Sequence, residues 1–411
     1  MNKDVAIWLV LAGLTISVTA GANDKWDVNG FVTLGGGLVL DNGEAYFGLD
    51  DSFNLEVDSK IGLQVDLELT EKFSATVQGV VRGSEGWEPE VAWAYLSYEL
   101  TKNWKVRAGR LRGPFYMISD YLEVGYAYPW VRPPEEAYDR LPINEFDGVD
   151  VIYSTSIGQW DLQAQSYYAK TDTTIDFAGE NADTKIDHVG LVLSGSNDWL
   201  TLRASYHHGD TDILVASLDP LFVALEQVGF GLVQAGTQLN IPPLVDAANE
   251  ILGIPAEMSI TGKSAAFVEA GFIVDPGENW FVRGEWTGLR YDRHIIPQST
   301  SYYTTAGLRD NSRTYFLTFA EYSTEPQTGF SDPLFSASSI MAQIDPVTAA
   351  TLDALAAAVD GASFAPEIVK TWTLGLRWDF RDRMAFKAEY AQTDNGLSNF
   401  GVASLAVDFV F

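Results

Sequence analysis

"SKIGLQVDLEL", residues 59–69, places Ile61, Leu63, Val65, Leu67 and Leu69 on one parity and Gln64, Asp66 and Glu68 on the other. Side chains alternate faces along a strand, so the segment has one oily face and one charged face. The last eleven residues, "GVASLAVDFVF" (401–411), repeat the device. Ala403, Leu405, Val407, Phe409 and Phe411 share one phase, while Ser404, Ala406 and Asp408 share the other. A soluble sandwich accommodates such strands as well, so the decision rests on the remainder of the chain.

Residues 1–22 read as a secretory signal. Lys3 is the positive end, Ala6 to Val18 the short apolar core, and Ala20-Gly21-Ala22 an A-x-A cleavage site, with cleavage after Ala20 or Ala22. No later stretch reads as the roughly twenty apolar residues of a membrane helix. There are no cysteines, which excludes disulfides and thiolate metal sites. A net charge of −30 argues against nucleic acid as a partner. With 12 Trp, 18 Tyr, 22 Phe and 36 Gly, the chain is too aromatic for an acidic disordered polymer. It suits a membrane barrel, whose lipid face needs apolar side chains only at alternate positions.

Alternating segments bounded by turn residues give sixteen expected strands. The first eight lie near 28–40, 57–69, 73–84, 91–100, 104–111, 147–156, 160–169 and 185–195. The second eight lie near 199–208, 263–274, 280–290, 300–308, 314–323, 369–379, 383–394 and 402–411. Most are about ten residues long, enough for a tilted strand to cross the hydrocarbon layer. Short turns such as "TEK" (70–72), "TKN" (101–103) and "SND" (196–198) alternate with longer connections. That rhythm predicts an all-β, transmembrane, up-and-down antiparallel barrel over residues 23–411, with helical insertions in its long external loops. Phe73, Trp104, Trp160, Trp199 and Trp280 follow short turns, where a periplasmic aromatic girdle belongs, although Trp199 is out of phase with Leu200, Leu202, Ala204 and Tyr206.

The same alternation points Lys60, Arg82, Glu99, Lys105, Arg107, Asp150, Asp161, Arg203, Glu269, Arg283, Glu285, Arg377, Lys387 and Glu389 inward. A charge facing lipid at mid-bilayer costs about 2–4 kcal/mol. So many charges on one parity imply a wet lumen, or alternatively a ladder of paired charges bracing the wall.

"RAGRLRGPFY" (107–116) and "NEFDGVDVIYS" (144–154) resemble the passage on either side of the third external loop in Gram-negative outer-membrane porins. The signal, the even strand count and the terminal Phe411 fit the same pattern. The resemblance implies a trimeric sixteen-stranded porin of the cell outer membrane, exported through the Sec route. It makes Phe411 the signal read by the barrel-assembly machinery. It also implies that the third external loop, 110–146, folds into the barrel as a constriction. That loop carries Arg110, Arg112, Arg132 and Arg140 against Asp120, Glu123, Glu135, Glu136 and Asp139, with Arg82, Lys105, Arg107 and Arg283 added from the wall. Opposed rims of charge set a transverse field that selects solutes. The implied activity is passive diffusion of small hydrophilic solutes. The arginines invite anions, in the manner of the phosphate-selective branch, whereas the overall charge pushes towards cations.

Loops 209–262 and 324–368 depart from a plain porin. Both lack Lys and Arg, and both carry helix signals: Asp219-Pro220 with Leu221, Leu225 and Val228 on one face, "PPLVDAANEILG", and Asp345-Pro346 closing at Gly361. Such helices cap the mouth, enter the lumen or pack on a neighbour, and the sequence leaves the three open. Acidic residues of the first two loops, among them Asp41, Glu44, Asp50, Glu85 and Glu88, face lipopolysaccharide, to which Ca²⁺ or Mg²⁺ would bridge them. No defined metal site and no cofactor is expected. The four histidines lack a Ser or carboxylate partner in a nucleophilic arrangement, so no enzyme is expected. The competing readings are a barrel-anchored surface receptor or adhesin, and a selective channel gated by the apolar loop helices.

Overall fold

The computed structural model describes residues 25–411 apart from 42, 140, 142, 178 and 278. The expected signal segment and Arg140 therefore lie outside the described residues. Sixteen strands form: β1 (Trp26–Val39), β2 (Lys60–Thr70), β3 (Phe73–Arg82), β4 (Pro89–Glu99), β5 (Trp104–Arg112), β6 (Glu145–Ile157), β7 (Trp160–Phe177) and β8 (Glu180–Ser196). The second half comprises β9 (Leu200–Leu214), β10 (Lys263–Val274), β11 (Trp280–Tyr291), β12 (Gln298–Asp310), β13 (Arg313–Glu325), β14 (Ile368–Arg381), β15 (Met384–Asp394) and β16 (Asn399–Val410).

Each strand pairs with its sequence neighbours, and β16 returns to β1 from Phe31↔Val410 to Val39↔Val402, which closes the ring. Closure leaves no unpaired edge, the condition for a sheet in hydrocarbon. The terminal residue completes the seam: Gly30 and Phe411 exchange backbone hydrogen bonds of 2.9 Å in both directions. A Cβ on Gly30 would sit 2.3 Å from the Phe411 ring, so glycine is what lets that ring lie flat on the wall.

The two faces sort as the alternation requires. Leu63, Leu67, Leu191, Leu193, Leu317, Leu374 and Leu405 are exposed on the outside, while Thr76, Ser205, Glu285, Thr318, Lys387 and Ser404 are buried inside. Trp104 and Trp280 begin their strands on the outer surface. Trp199 belongs to the turn, because β9 starts only at Leu200, which removes the phase conflict.

Three departures from the sequence reading have physical causes. First, β7 and β8 do not stop near 169 and 185 but run on to Phe177 and Glu180. At Arg110, Asp147, Lys170, Asp187 and Asp210, which are successive cross-strand partners from β5 to β9, the outer face turns from apolar to charged. Beyond that row the wall stands clear of the oil, and its inner face supports other parts of the chain.

Second, the helices are more extensive than expected. Loop 215–262 holds α2 (Asp219–Leu239) and α3 (Pro242–Met258), and loop 326–367 holds α4 (Asp332–Met341) and α5 (Pro346–Ala362); α1, a single turn, lies in the third loop. Asp345 caps α5 as anticipated, accepting from Val347 N at 3.1 Å. Asp219 lies inside the first turn of its helix, and the upstream turn is held instead by Glu180, which accepts from Ala216 N at 2.6 Å. The four helices share one apolar core, with Leu225, Leu244, Ile251, Leu334 and Leu352 fully buried. That core continues onto Ala182 and Ile213 of the wall extension, so the bundle rests on the inner face of the wall above the oil.

Third, Ala216–Leu239 is long and apolar enough to cross a membrane by length and composition, with a mean hydropathy of 1.3 over its best window. It joins β9 to β10, which are antiparallel neighbours, and a single crossing would deliver β10 to the wrong side. Its apolar face serves the bundle.

Inside the ring, Lys387 Nζ lies 2.9 Å from Asp408 Oδ2, and both side chains are almost wholly buried. Thr33 donates to the other carboxylate oxygen at 2.7 Å. Removing one member of a buried pair leaves an uncompensated charge at a cost of about 3–5 kcal/mol. We therefore predict that Lys387→Met lowers stability by about that much in urea titrations of the barrel in lipid vesicles, and that Lys387→Met with Asp408→Asn recovers only part of the loss, because the Gly125 and Trp130 carbonyls still lack their donor. Equal stability of wild type and Lys387→Met would contradict the structural weight given to this pair.

Candidate functional site

The connection from β5 to β6, residues 113–144, folds into the barrel. Glycines and prolines give it sharp corners, and it contains two 3₁₀ turns (Ser119–Tyr121 and Gly125–Ala127) and α1 (Glu135–Tyr138). Its backbone would be costly to bury unless its polar groups found partners, and the wall supplies them. Lys387 donates to the carbonyls of Gly125 and Trp130, each at 2.6 Å, and Arg377 to that of Tyr126 at 2.6 Å. Val131 N donates to Glu389 Oε1 at 2.7 Å and Met117 N to Glu285 Oε1 at 3.1 Å. Trp130 Nε1 donates to Thr318 Oγ1 at 3.0 Å.

Apolar packing closes the same side. Phe115, Tyr116, Ile118 and Trp130 form one buried cluster with Phe267, Leu289, Tyr303 and Phe316 of β10–β13. At Gly125 the loop touches the wall so closely that a Cβ would fall 2.3 Å from Asp408 Oδ1 and 2.6 Å from Thr33 Oγ1. No other residue fits there.

Towards β1–β5 the contact combines charge around Glu123 with the apolar packing of Val124 on Phe31, Val80 and Ala92. Glu123 lies 2.9 Å from Arg82 Nη2, 2.8 Å from Arg112 Nη2 and 3.5 Å from Lys60 Nζ. Burial alone would raise its carboxyl, but Lys60, Arg112 and Arg82 outweigh burial and hold it well below the usual carboxylate range. Arg132 is bound by Asp58 and donates to Ser404 Oγ at 2.7 Å. Burial pushes Glu135 above its ordinary range, against the pull of Arg132.

Two cavities flank this contact. The outer, of about 440 Å³, is lined by Asp58, Lys60, Arg82, Leu122, Arg132, Glu135 and Asp139 among others. The inner, of about 400 Å³, is lined by Asn29, Gln64, Gln78 and Val124 and reaches the turn residue Arg383. Leu122 borders one and Val124 the other, so Glu123 stands between them.

The expected site residues thus divide. Arg82, Arg112, Glu123 and Arg132 come together at the contact, with Glu135 and Asp139 beside it. Arg107 faces inward and is bound to Asp150 of β6, while Lys105 lies at the periplasmic end, 3.8 Å from Glu99. Asp120 is exposed in the first 3₁₀ turn. Glu136 is buried and accepts from Tyr46 at 3.1 Å and from Thr371. Arg283 stacks on the Trp130 ring at 4.7 Å, which puts it on the packed side of the loop, away from the basic cluster. Arg110 is a correction: it shares the phase of Trp104 and Ala108, is exposed, and pairs with Asp147 at 3.3 Å on the outer surface. An alternation carried from Trp104 to Arg110 already contained that answer.

Asp58, Glu285, Lys387 and Glu389 are the residues the site reading missed. The last three were legible as inward charges, and Asp58 shares the parity of Lys60, but nothing local marks them as partners of the third loop. The histidines are also placed. His207 faces inward and His208 outward, and Tyr167 OH lies 2.7 Å from His207 Nδ1 and 3.4 Å from His188 Nδ1.

No family model matches the sequence, and no characterised protein matches it at the sequence level. Solved structures do match. OmpF of Salmonella typhi, in complex with daunomycin, superposes with a TM-score of 0.56 at 10% identity, over 94% of this chain and 97% of its own. The outer-membrane channel DcaP of Acinetobacter baumannii gives 0.55 at 12% identity, over 95% and 99%. The anion-selective porin of Comamonas acidovorans gives 0.53 at 14%, over 94% and 99%. At such identities the likeness speaks for the fold alone, and the fold is that of the Gram-negative outer-membrane porins: a closed sixteen-stranded antiparallel barrel.

Proposed function

We propose that the protein is an outer-membrane porin, a homotrimer that conducts small hydrophilic solutes passively along the β1–β4 side of its lumen. One observation carries this: the third loop is sealed to β10–β15 by aromatic packing and backbone hydrogen bonds, whereas it meets β1–β5 through the ion pairs of Glu123 and the smaller contacts of Val124 and Gly125, with a cavity on either side. Water and ions can exchange through an ion-pair contact far more readily than through a packed aromatic seam. The charged row from Arg110 to Asp210 marks the level of the outer headgroups, where lipopolysaccharide and bridging divalent cations would lie. OmpT of Vibrio cholerae, another structural neighbour at 9% identity and a TM-score of 0.51, is described in a trimer form.

The lumen charges favour cations over anions. Lys60, Arg82 and Arg132, the basic side chains of the outer cavity among the described residues, are each bound to carboxylates. Arg82 alone meets Glu85, Glu90 and Glu123. Neutralised bases offer little to an arriving anion, and the mouth adds acidic loops to a chain of net charge −30.

Two measurements follow. In planar bilayers under a salt gradient, the reversal potential should have the sign of cation preference; anion selectivity would overturn the charge argument, and a silent barrel would overturn the porin reading in favour of a surface receptor. Second, Glu123→Gln should raise single-channel conductance and its fluctuations at pH 7. Because the Glu123 pKa is depressed, its ion pairs persist above the ordinary carboxylate range and are lost only as the pH falls through the lowered value. Wild-type conductance should therefore stay flat from about pH 7 to 5 and approach that of Glu123→Gln only in stronger acid. An unchanged Glu123→Gln channel would remove the contact from the conduction path.

A further inference from the structure

The opposite side of the lumen, over β8–β11, has a different chemistry. A half-open cleft of about 80 Å³ lies there, lined by Phe115, Ile143, Ile186, His207, Phe267 and Tyr291 among others. Phe115 and Ile143 belong to the third loop and pack here against Phe267 and Leu289 of the wall.

We infer that this cleft binds the edge of one small aromatic ring bearing a single hydrogen-bonding group. The lining is nearly all apolar or aromatic, and its rings already meet in the geometries such rings prefer. Phe115 stands edge-on to Phe267 at 6.1 Å, and His207 lies 5.0 Å from Phe115 and 5.9 Å from Phe267. A ring added edge-to-face gains attraction from each aromatic partner beyond that of its buried area. A closed apolar cavity of roughly 150 Å³ holds a whole benzene; half that space, open on one side, takes a ring part-way and leaves the remainder in the lumen.

The polar handle is His207. It is buried, its Nδ1 is engaged by Tyr167 at 2.7 Å, and its Nε2 has no hydrogen-bond partner among the described residues. A buried polar atom without a partner is costly, so a ligand hydroxyl that reaches it recovers a cost the free protein carries. The chain Thr171–His188–Tyr167–His207 fixes the ring, with contacts of 3.3, 3.4 and 2.7 Å. Gly190 gives the pair its room: a Cβ there would fall 2.2 Å from the Tyr167 ring and 2.6 Å from His207 Nδ1. Among the described residues no charged side chain borders the cleft, so the ring and one neutral group define the ligand class. The site names a solute class for the proposed channel and rests on that reading for its biological sense, but binding itself does not require conduction.

The test uses the full chain in lipid nanodiscs, with empty nanodiscs as the partition control, and phenol as the probe, followed by equilibrium binding and ligand-observed NMR. Saturable binding of one phenol per chain is expected, with cyclohexanol and toluene each about tenfold weaker, the loss of ring contacts or of one hydrogen bond. His207→Phe should weaken phenol about tenfold without changing toluene, and Ala265→Leu, which fills the cleft from β10, should abolish both. Each variant is checked for barrel folding by heat-dependent gel mobility. Should His207→Phe fail that check, the comparison of phenol with toluene and Ala265→Leu still decides. Absence of saturable phenol binding, equal affinity for cyclohexanol, or indifference to Ala265→Leu overturns the inference. Conductance is recorded on the same preparation: a conducting channel that ignores phenol sinks the cleft alone, and a silent barrel that binds phenol sinks the channel alone.

Discussion

The hydrogen-bonded seam between β1 and β16 is the constraint on which everything else rests. A sheet in hydrocarbon cannot leave a row of N–H and C=O groups unpaired, so the sixteen strands persist there only as a ring. The seam runs for nine residue pairs and ends where Phe411 lays its ring over Gly30. Once the ring is closed, period-two alternation acquires its meaning: one parity faces oil and the other an enclosed space too wide to fill with wall side chains.

That enclosed space explains the third loop. A wide lumen lined with Ser, Thr and charged residues offers a great many donors and acceptors, and the loop uses them to satisfy its own irregular backbone. Its two flanks are bound by different forces. The β10–β15 flank has aromatic packing and short hydrogen bonds to buried Lys387 and Glu285 and half-buried Glu389. The β1–β5 flank combines an electrostatic contact around Glu123 with the packing of Val124, and a cavity borders it on either side. On the proposed reading, asymmetry of this kind divides one barrel into a wall for holding and a wall for passing, with the aromatic cleft on the holding side.

The helices of the external loops follow from the same logic of unpaired surfaces. Above the row from Arg110 to Asp210 the wall no longer touches lipid, and β7–β9 continue with a polar outer face and an apolar inner one. Ile213 and Ala182 need a cover, and α2–α5 need something to lean on. Each supplies the other, which is why loops so poor in charge fold on the outside of the membrane.

How much of this was legible beforehand depends on the range of the interaction. Alternation is local, so the chain alone determined the sixteen strands, their inner and outer faces, the closing role of the last segment and the inward fate of Lys387, Glu285 and Glu389. Even Arg110 was readable as an outward residue by counting from Trp104. Only the folded barrel decided that Glu123 meets Arg82, Arg112 and Lys60, that Asp58 holds Arg132, that Arg283 lies under Trp130, and that His188, Tyr167 and His207 form one chain above Phe115. A strand pattern fixes which side of the wall a residue is on. It cannot fix the path of a loop across the lumen, and contacts over hundreds of residues depend on that path.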